Sequence, residues 1–352
     1  MLMCKIMNIN NYDISLSELS VHWVGNKLKE EGLLLSKGEL NLTEEITSVL
    51  LRYFIKSFDF NQLYHFVHIS NVELNDVYDC VEKVFNKKLE LYSASKTLAQ
   101  ILYSKSVHPN IKGGELYVCC FENCEIDGVT TNAIGIFKSE SKDEFLKAEQ
   151  RDGGYLINCE IGTNIHKLDK GCIIYNYKKE EGYCIAVVDN TNKGNDAKYW
   201  LDQFLEVAVL NNEFANTQNF MKACKAYVTR QLPQEFDVTK ADQAEILNKS
   251  VAFFKAHNNF DMEEFANEVI GQPEVIESFN QYRVAYETEH EVQIADEFVI
   301  SDSAVKKQAR SFKSVIKLDK NFHIYIHGDR KLIEQGEDEK GKYYKVYFKE
   351  EL

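Results

Sequence analysis

Cations and flat rings gather in one stretch of this sequence. Between residues 304 and 331 stand Lys306, Lys307, Arg310, Lys313, Lys317, Lys320, Arg330 and Lys331, opposed only by Asp319 and Asp329. Inside it, Phe322-His323-Ile324-Tyr325-Ile326-His327 alternates. On a strand, Phe322, Ile324 and Ile326 face one side and His323, Tyr325 and His327 the other. Tyr343, Lys345 and Tyr347 alternate in the same way against Tyr344, Val346 and Phe348. A sheet pairing these strands presents aromatics beside Lys317, Lys320 and Lys331. Cations that neutralise phosphates, next to rings on which bases stack, are the ingredients of a nucleic-acid surface. The candidate contacts are therefore Lys306, Lys307, Arg310, Lys313, Lys317, Lys320, His323, Tyr325, Arg330 and Lys331. The same residues also suit a solvated amphipathic sheet, with Glu334, Glu337, Asp338 and Glu339 nearby. Composition leaves both readings open.

Catalytic and metal chemistry finds fewer footholds. There is no G-x-x-x-x-G-K-[ST], no G-x-G-x-x-G, no H-E-x-x-H and no G-x-S-x-G in the chain. Lys112-Gly113-Gly114 would let backbone approach a phosphate, but it stands between a helical and a strand-like stretch, where a connector needs glycine anyway. Cys119, Cys120 and Cys124 contain no C-x-x-C pair, and neighbours on a strand point to opposite faces. His65 and His68 offer one pair of imidazoles and His323 and His327 another, the second pair roughly 13 Å apart along a strand and too far for one metal. Cys224 falls on an apolar helix stripe, and Cys172 and Cys184 fall in apolar strand runs, where inert core thiols belong. No catalytic residue, metal ligand or cofactor is assigned.

The whole chain is acidic, with a formal net charge of −14 over 352 residues. That balance argues against a protein whose entire surface grips a polyanion. The distribution is uneven: residues 201 to 300 carry 18 acidic and 7 basic side chains, and residues 301 to 352 carry 9 and 12. An apolar fraction of 44%, three Pro and 17 Gly describe a globular protein. No run reaches the roughly 18 apolar residues of a membrane span, and the N-terminus does not read as a secretory signal. Nine scattered cysteines fit a reducing cytoplasm, as free and mostly buried thiols.

The elements that must position the cluster follow from periodicity. Residues 12 to 24 alternate as a half-buried strand with Gly32–Leu35 as its neighbour. Thr43 caps a helix with Ile46, Val49, Leu50, Tyr53 and Phe54 on one stripe. Residues 72 to 107 are helix-rich, with Ser93-Ala94-Ser95 as the separator. Strand-like runs follow at Leu116–Glu122, Asn132–Lys138, Tyr155–Glu160, Gly171–Tyr177 and Tyr183–Asp189, with turns such as Asp127-Gly128 between them. The texture turns helical after residues 190 to 195, at 197 to 208, 216 to 230, 240 to 257 and 261 to 290, the last interrupted by Pro273. The expected class is α+β: an N-terminal mixed helix and antiparallel-sheet domain (1–195), an acidic helical module (196–291), and a basic C-terminal helix with a small β-sheet (292–352) that packs with the module. A doubly wound nucleotide fold is not expected.

Segments spread over most of the chain resemble a known family. They are VHWVGNKLKEEGLLLSKGEL (21–40), LLRYFIKSF (50–58), LYSKSVHPNIKGGELYV (102–118), AIGIFKSES (133–141), KLDKGCIIYN (167–176), AKYWLDQFL (197–205) and FKSVIKLDKNFHIYIHGDR (312–330). Together they resemble the bacterial nucleoid-associated protein family of the NdpA/YejK type, in its Bacteroidetes-like form. The resemblance implies a cytoplasmic protein found with the compacted chromosome, without an established catalytic site. It supplies no catalytic or DNA-contact residue to carry over. The leading expectation is a non-enzymatic protein that contacts DNA weakly through the basic C-terminal segment. A second is a protein–protein adaptor brought to the nucleoid by a DNA-processing or DNA-topology enzyme. A third is an enzyme with an unrecognised site near His108, Lys112 and Cys119. A homodimer would multiply weak contacts.

Overall fold

The computed structural model describes residues 9–11, 13–191, 199–290, 292–312, 315–318, 321–325 and 332–350. They form two compact units, one over Met7–Leu210 and the other over Asn211–Leu352, and the class is α+β.

The first unit is built on a nine-stranded, wholly antiparallel sheet with helices on both faces. Its elements run β1 (Ile9–Asn10), β2 (Ser15–Val24), β3 (Leu33–Leu34), α1 (Glu44–Ile55), β4 (Leu63–Phe66), α2 (Asp76–Phe85), α3 (Leu91–Lys105), β5 (Gly114–Ile126), β6 (Val129–Ser139), β7 (Asp143–Arg151), β8 (Gly154–Gly162), β9 (Lys170–Tyr175) and β10 (Cys184–Asp189). A π-helical stretch, Tyr199–Leu205, and β11 (Val207–Val209) close it. Strand order is β11-β4-β10-β9-β6-β5-β2-β3, with β1 on β5, while among the described residues β7 and β8 pair only with each other.

Alternation explains the two cores. On β5 and β6, Leu116, Val118, Ile134 and Ile136 point to the face covered by α2, α3 and Tyr199–Leu205. Cys119, Phe121, Ala133 and Phe137 point to the other face, against Tyr53 and Phe54 of α1. Phe54 stacks on Phe137 with centroids 4.1 Å apart and planes 4° from parallel. Asp127 and Gly128 both take positive φ, the two-residue turn that matches strand twist. Gly182 also has positive φ, and a Cβ there would meet the Phe66 carbonyl at 2.4 Å.

Thr43 caps α1 as expected, accepting from the Ile46 amide, although Ile46 itself is exposed. The break between α2 and α3 is not at Ser93-Ala94-Ser95, which lies within α3. It falls at Asn86–Glu90, where Lys87 in the left-handed region ends α2. Asn75 joins three segments: its side-chain oxygen accepts from Val77 and Tyr78, and its amide donates to the carbonyls of Val67, Leu205 and Glu206. Tyr199, Trp200, Phe204 and Leu205 pack into this first core.

The second unit contains α4 (Glu213–Ala226), α5 (Leu232–Glu235), α6 (Lys240–Ala256), β12 (Asn259–Asp261), α7 (Met262–Phe265), α8 (Pro273–His290), β13 (Glu297–Val299), α9 (Asp302–Ala309), β14 (Val315–Leu318), β15 (Phe322–Tyr325), β16 (Ile333–Asp338) and β17 (Gly341–Val346). Pro273 opens α8, where its missing N–H costs nothing. The core is aromatic: Phe220 sits among Phe254, Phe260, Phe265 and Phe279, with centroids 4.3 to 5.8 Å away. Val305 and Phe312, on either side of the end of α9, belong to the same core. Among the described residues, the terminal strands do not merge into one sheet. They form two separate hairpins, β14–β15 and β16–β17.

Candidate nucleic-acid interface

Helix α9 is held by its N-terminus. The Ser301 hydroxyl accepts from the Ala304 amide, and the Ser301 amide donates to Thr217 Oγ1 on α4. Ala304, Val305 and Gln308 turn inward, which leaves Lys306 and Lys307 of the last turn and Arg310 at the C-cap exposed. Cations at a helix C-terminus also oppose the macrodipole, so the placement stabilises the helix as well. Lys307 Nζ stands 5.3 Å above the Phe214 ring, a cation–π contact to α4.

Helix α4 contributes a cation that periodicity did not single out. Lys222 donates to Gln218 Oε1 at 3.0 Å. Packing around its ammonium, and then the charge of Lys307, hold its pKa below the ordinary lysine range.

Hairpin β14–β15 sets Lys317 opposite His323 and Val315 opposite Tyr325. Directly opposed residues share a face, so Lys317, His323 and Tyr325 project together, all exposed. Ile316, Leu318 and Ile324 take the other side, against Ala241 and Ala244 of α6. Phe322 departs from the expected packing and is 66% exposed, because that small core ends before it. Among the described residues, no carboxylate pairs with Lys306, Arg310 or Lys317. Hairpin β16–β17 is different: Glu334 opposes Lys345 and Glu337 opposes Lys342, so its cations are matched in register. Lys313, Lys320, Arg330 and Lys331 lie outside the described residues, as do Ile326 and His327.

Among the described residues, the first unit holds the most deeply buried charges, Lys138, Asp169 and Lys170. Lys138 Nζ lies 3.1 Å from Glu140, 2.7 Å from the Lys112 carbonyl and 3.3 Å from the Tyr199 hydroxyl. Lys170 Nζ is 3.4 Å from both Glu140 and Asp189 and is bound by Thr191. Tyr199 donates to Glu140 at 3.0 Å, and Asp169 accepts from the amides of Glu140 and Ser141. Burial pulls the Lys138 pKa down while Glu140 opposes that shift. Four family-like segments, 102–118, 133–141, 167–176 and 197–205, supply all of this network except Asp189 and Thr191. Sequence reasoning missed it because lone charges give no periodic signal of burial.

The His108, Lys112 and Cys119 neighbourhood is tied to structure. The His108 carbonyl accepts from Asn26, the Lys112 carbonyl from Lys138, and Cys119 is fully buried with its thiol pushed well up by desolvation. That is the reverse of an activated nucleophile. An open groove of about 630 Å³ is lined by Val21, His22, Trp23, Glu31, Leu34, Leu35, Ser36 and Glu115. Its histidine is engaged at both nitrogens: Nδ1 accepts from the Ser36 amide at 3.1 Å, so Nε2 carries the proton toward Ser95 Oγ at 2.8 Å.

Burial, and then Lys96, lower the His22 pKa. A histidine held neutral in the folded state contributes stability that is complete above its unfolded pKa of about 6.5 and is lost as pH falls toward the folded value. The urea midpoint of the wild type should therefore fall between about pH 7 and pH 5 more steeply than that of His22→Gln.

On the surface of the second unit, ligand atoms of His257, Glu264 and Glu268 lie within 4.8 Å of one another, with His257 Nε2 3.7 Å from Glu264. The cluster does not adjoin the basic helix in sequence, and no role in the interface is assigned to it. Among the described residues, no helix is long and apolar enough to cross a membrane.

No curated protein matches the chain. The profile of one family, NA37, described as nucleoid-associated protein YejK, matches residues 20–340 and so spans both units, the basic helix and the buried network. With nearly the whole length matched, the chain belongs to the nucleoid-associated protein YejK family.

Proposed function

We propose that this family member serves its nucleoid-associated role by touching DNA directly and weakly, without catalysing a reaction on it. The contact surface is Lys222 of α4 with Lys306, Lys307 and Arg310 of α9, extended by Lys317, His323 and Tyr325 on β14–β15. The observation that carries this reading is the packing of α9 on α4, which leaves Lys306, Lys307 and Arg310 exposed together near Lys222 in a chain of net charge −14. The absence of catalysis is favoured by buried thiols with raised pKa and by first-unit charges that neutralise one another.

Fluorescence anisotropy of labelled duplex over a salt series tests it. With about four phosphate contacts the log–log slope is near −3.6, and affinity falls roughly a hundredfold between about 50 and 200 mM salt. The folded variant K222E/K306E/K307E/R310E should flatten that slope. Equal binding by this variant and the wild type overturns the surface.

The acidic stretch from 201 to 300, with 18 acidic and 7 basic side chains, favours a second reading. Such a surface repels phosphate and suits a protein partner, such as a DNA-processing or DNA-topology enzyme, that carries the chain to the nucleoid. Folded protein that shows no anisotropy change even at low salt, yet keeps a partner after nuclease treatment, would favour this adaptor.

A further inference from the structure

His257 ends α6 with its ring already fixed. Its amide and its Nδ1 both donate to the Phe253 carbonyl, at 3.1 and 3.0 Å, and its ring stacks on Phe253 with centroids 4.2 Å apart. A carbonyl oxygen only accepts, so Nδ1 carries the proton and the neutral ring keeps its Nε2 lone pair for another partner. Tying one imidazole nitrogen to a carbonyl is how proteins orient the other toward a metal. Nε2 here faces carboxylates. It lies 3.7 Å from Glu264, beyond hydrogen-bond reach, and Glu268 completes a set whose ligand atoms all lie within 4.8 Å of one another.

The aromatic core beneath holds these residues in place. Phe253 and Phe265 meet edge to face at 5.2 Å, and Phe260 stacks on Phe298 at 4.6 Å, so packing outside the set sets the end of α6 against α7. Glu264 has a structural reason for its position, the positive end of α7. Glu268 has none: it stands four residues further along the continuing helical stretch, where two carboxylates repel. Among the described residues, no Lys or Arg pairs with either.

We propose that His257, Glu264 and Glu268 bind one divalent transition-metal ion of the zinc type. One imidazole nitrogen with two carboxylate oxygens suits such an ion, whereas Mg²⁺ and Ca²⁺ favour oxygen alone. Bonds of about 2.0–2.2 Å set neighbouring ligand atoms roughly 3–3.5 Å apart, so the exposed carboxylates close by about 1–2 Å on the anchored imidazole. Water fills the remaining positions. The ion neutralises the repulsion between Glu264 and Glu268 and ties α6 to α7. None of the three residues belongs to the proposed DNA surface.

Calorimetric titration of the metal-stripped full chain with Zn²⁺ tests this, beside H257Q/E264Q/E268Q. Cysteines and other imidazoles are common to both proteins, so the wild type should bind one more ion per chain than the variant. E268Q alone, an isosteric change at an exposed position, should keep the fold and weaken that ion by more than about tenfold. Carbethoxylation of His257, followed on its own peptide by mass spectrometry, supplies a site-specific readout. Zn²⁺ should slow it several-fold in the wild type, Mg²⁺ should not, and E268Q should lose most of the protection. Equal stoichiometry in wild type and triple variant, or His257 modified at the same rate with and without Zn²⁺, overturns the proposal. Protection as strong in E264Q/E268Q as in the wild type also overturns it, since the imidazole would then bind without the carboxylates.

Discussion

Replacing Glu140 by alanine should destabilise the first unit by about 3–5 kcal/mol, because two buried ammoniums lose their shared counter-ion at once. Glu140 lies 3.1 Å from Lys138 and 3.4 Å from Lys170, and the side chains of all three are almost wholly buried. Lys170 keeps Asp189, but Lys138 is left with only the Lys112 carbonyl and the Tyr199 hydroxyl. At about 2–4 °C per kcal/mol for a unit of this size, the melting temperature should drop by roughly 6–20 °C in calorimetry. Lys138→Met should cost less, since it removes a charge instead of stranding one. A Glu140→Ala loss below about 1 kcal/mol would mean that water reaches the network and that its charges are not effectively buried.

Phe220→Ala should cost the second unit about 3–5 kcal/mol, through lost burial and the cavity left among four other rings. The same aromatic core receives Val305 and Phe312 beside α9, so it is the platform on which Lys306, Lys307 and Arg310 are carried. If the proposed surface binds DNA, the variant should lose that affinity on warming earlier than the wild type. In the cold, where the unit remains folded, its salt slope should match the wild type because no phosphate contact has been removed. A slope that changes in the cold would show that Phe220 alters the contacts themselves.

Local signals were the legible ones. Thr43, the Asp127-Gly128 turn and Pro273 each act within a few residues of themselves, and each stands where its chemistry places it. The hydrophobic alternation of β5 and β6 made the central antiparallel strands readable. Strands β4 and β11 were not, since LYHF and VAV are too short to show a period and their pairing partners lie far along the chain. Strand β7, DEFLKAEQR, hides because its charged residues belong to a solvated ribbon and give no core face. In the candidate interface, Lys306, Lys307 and Arg310 announce themselves as a local excess of charge. Lys222 does not, because it joins them only when α4 packs on α9. Lys138, Glu140 and Lys170 look like ordinary surface residues until the sheet brings them together, and charged side chains are rarely this buried.

The position of β4 in the sheet also governs how the protein is made. Both of its neighbours, β10 and β11, come later in the chain, beginning at Cys184. At roughly 5–20 residues per second of synthesis, β4 waits about 6–24 s after leaving the ribosome before either partner exists. The first unit cannot close cotranslationally until Val209 has emerged. A chain stopped short of β10 leaves Leu63–Phe66 with both backbone edges open to strand addition from another molecule. The strand is only four residues long, which limits how firmly such a stray partner can hold.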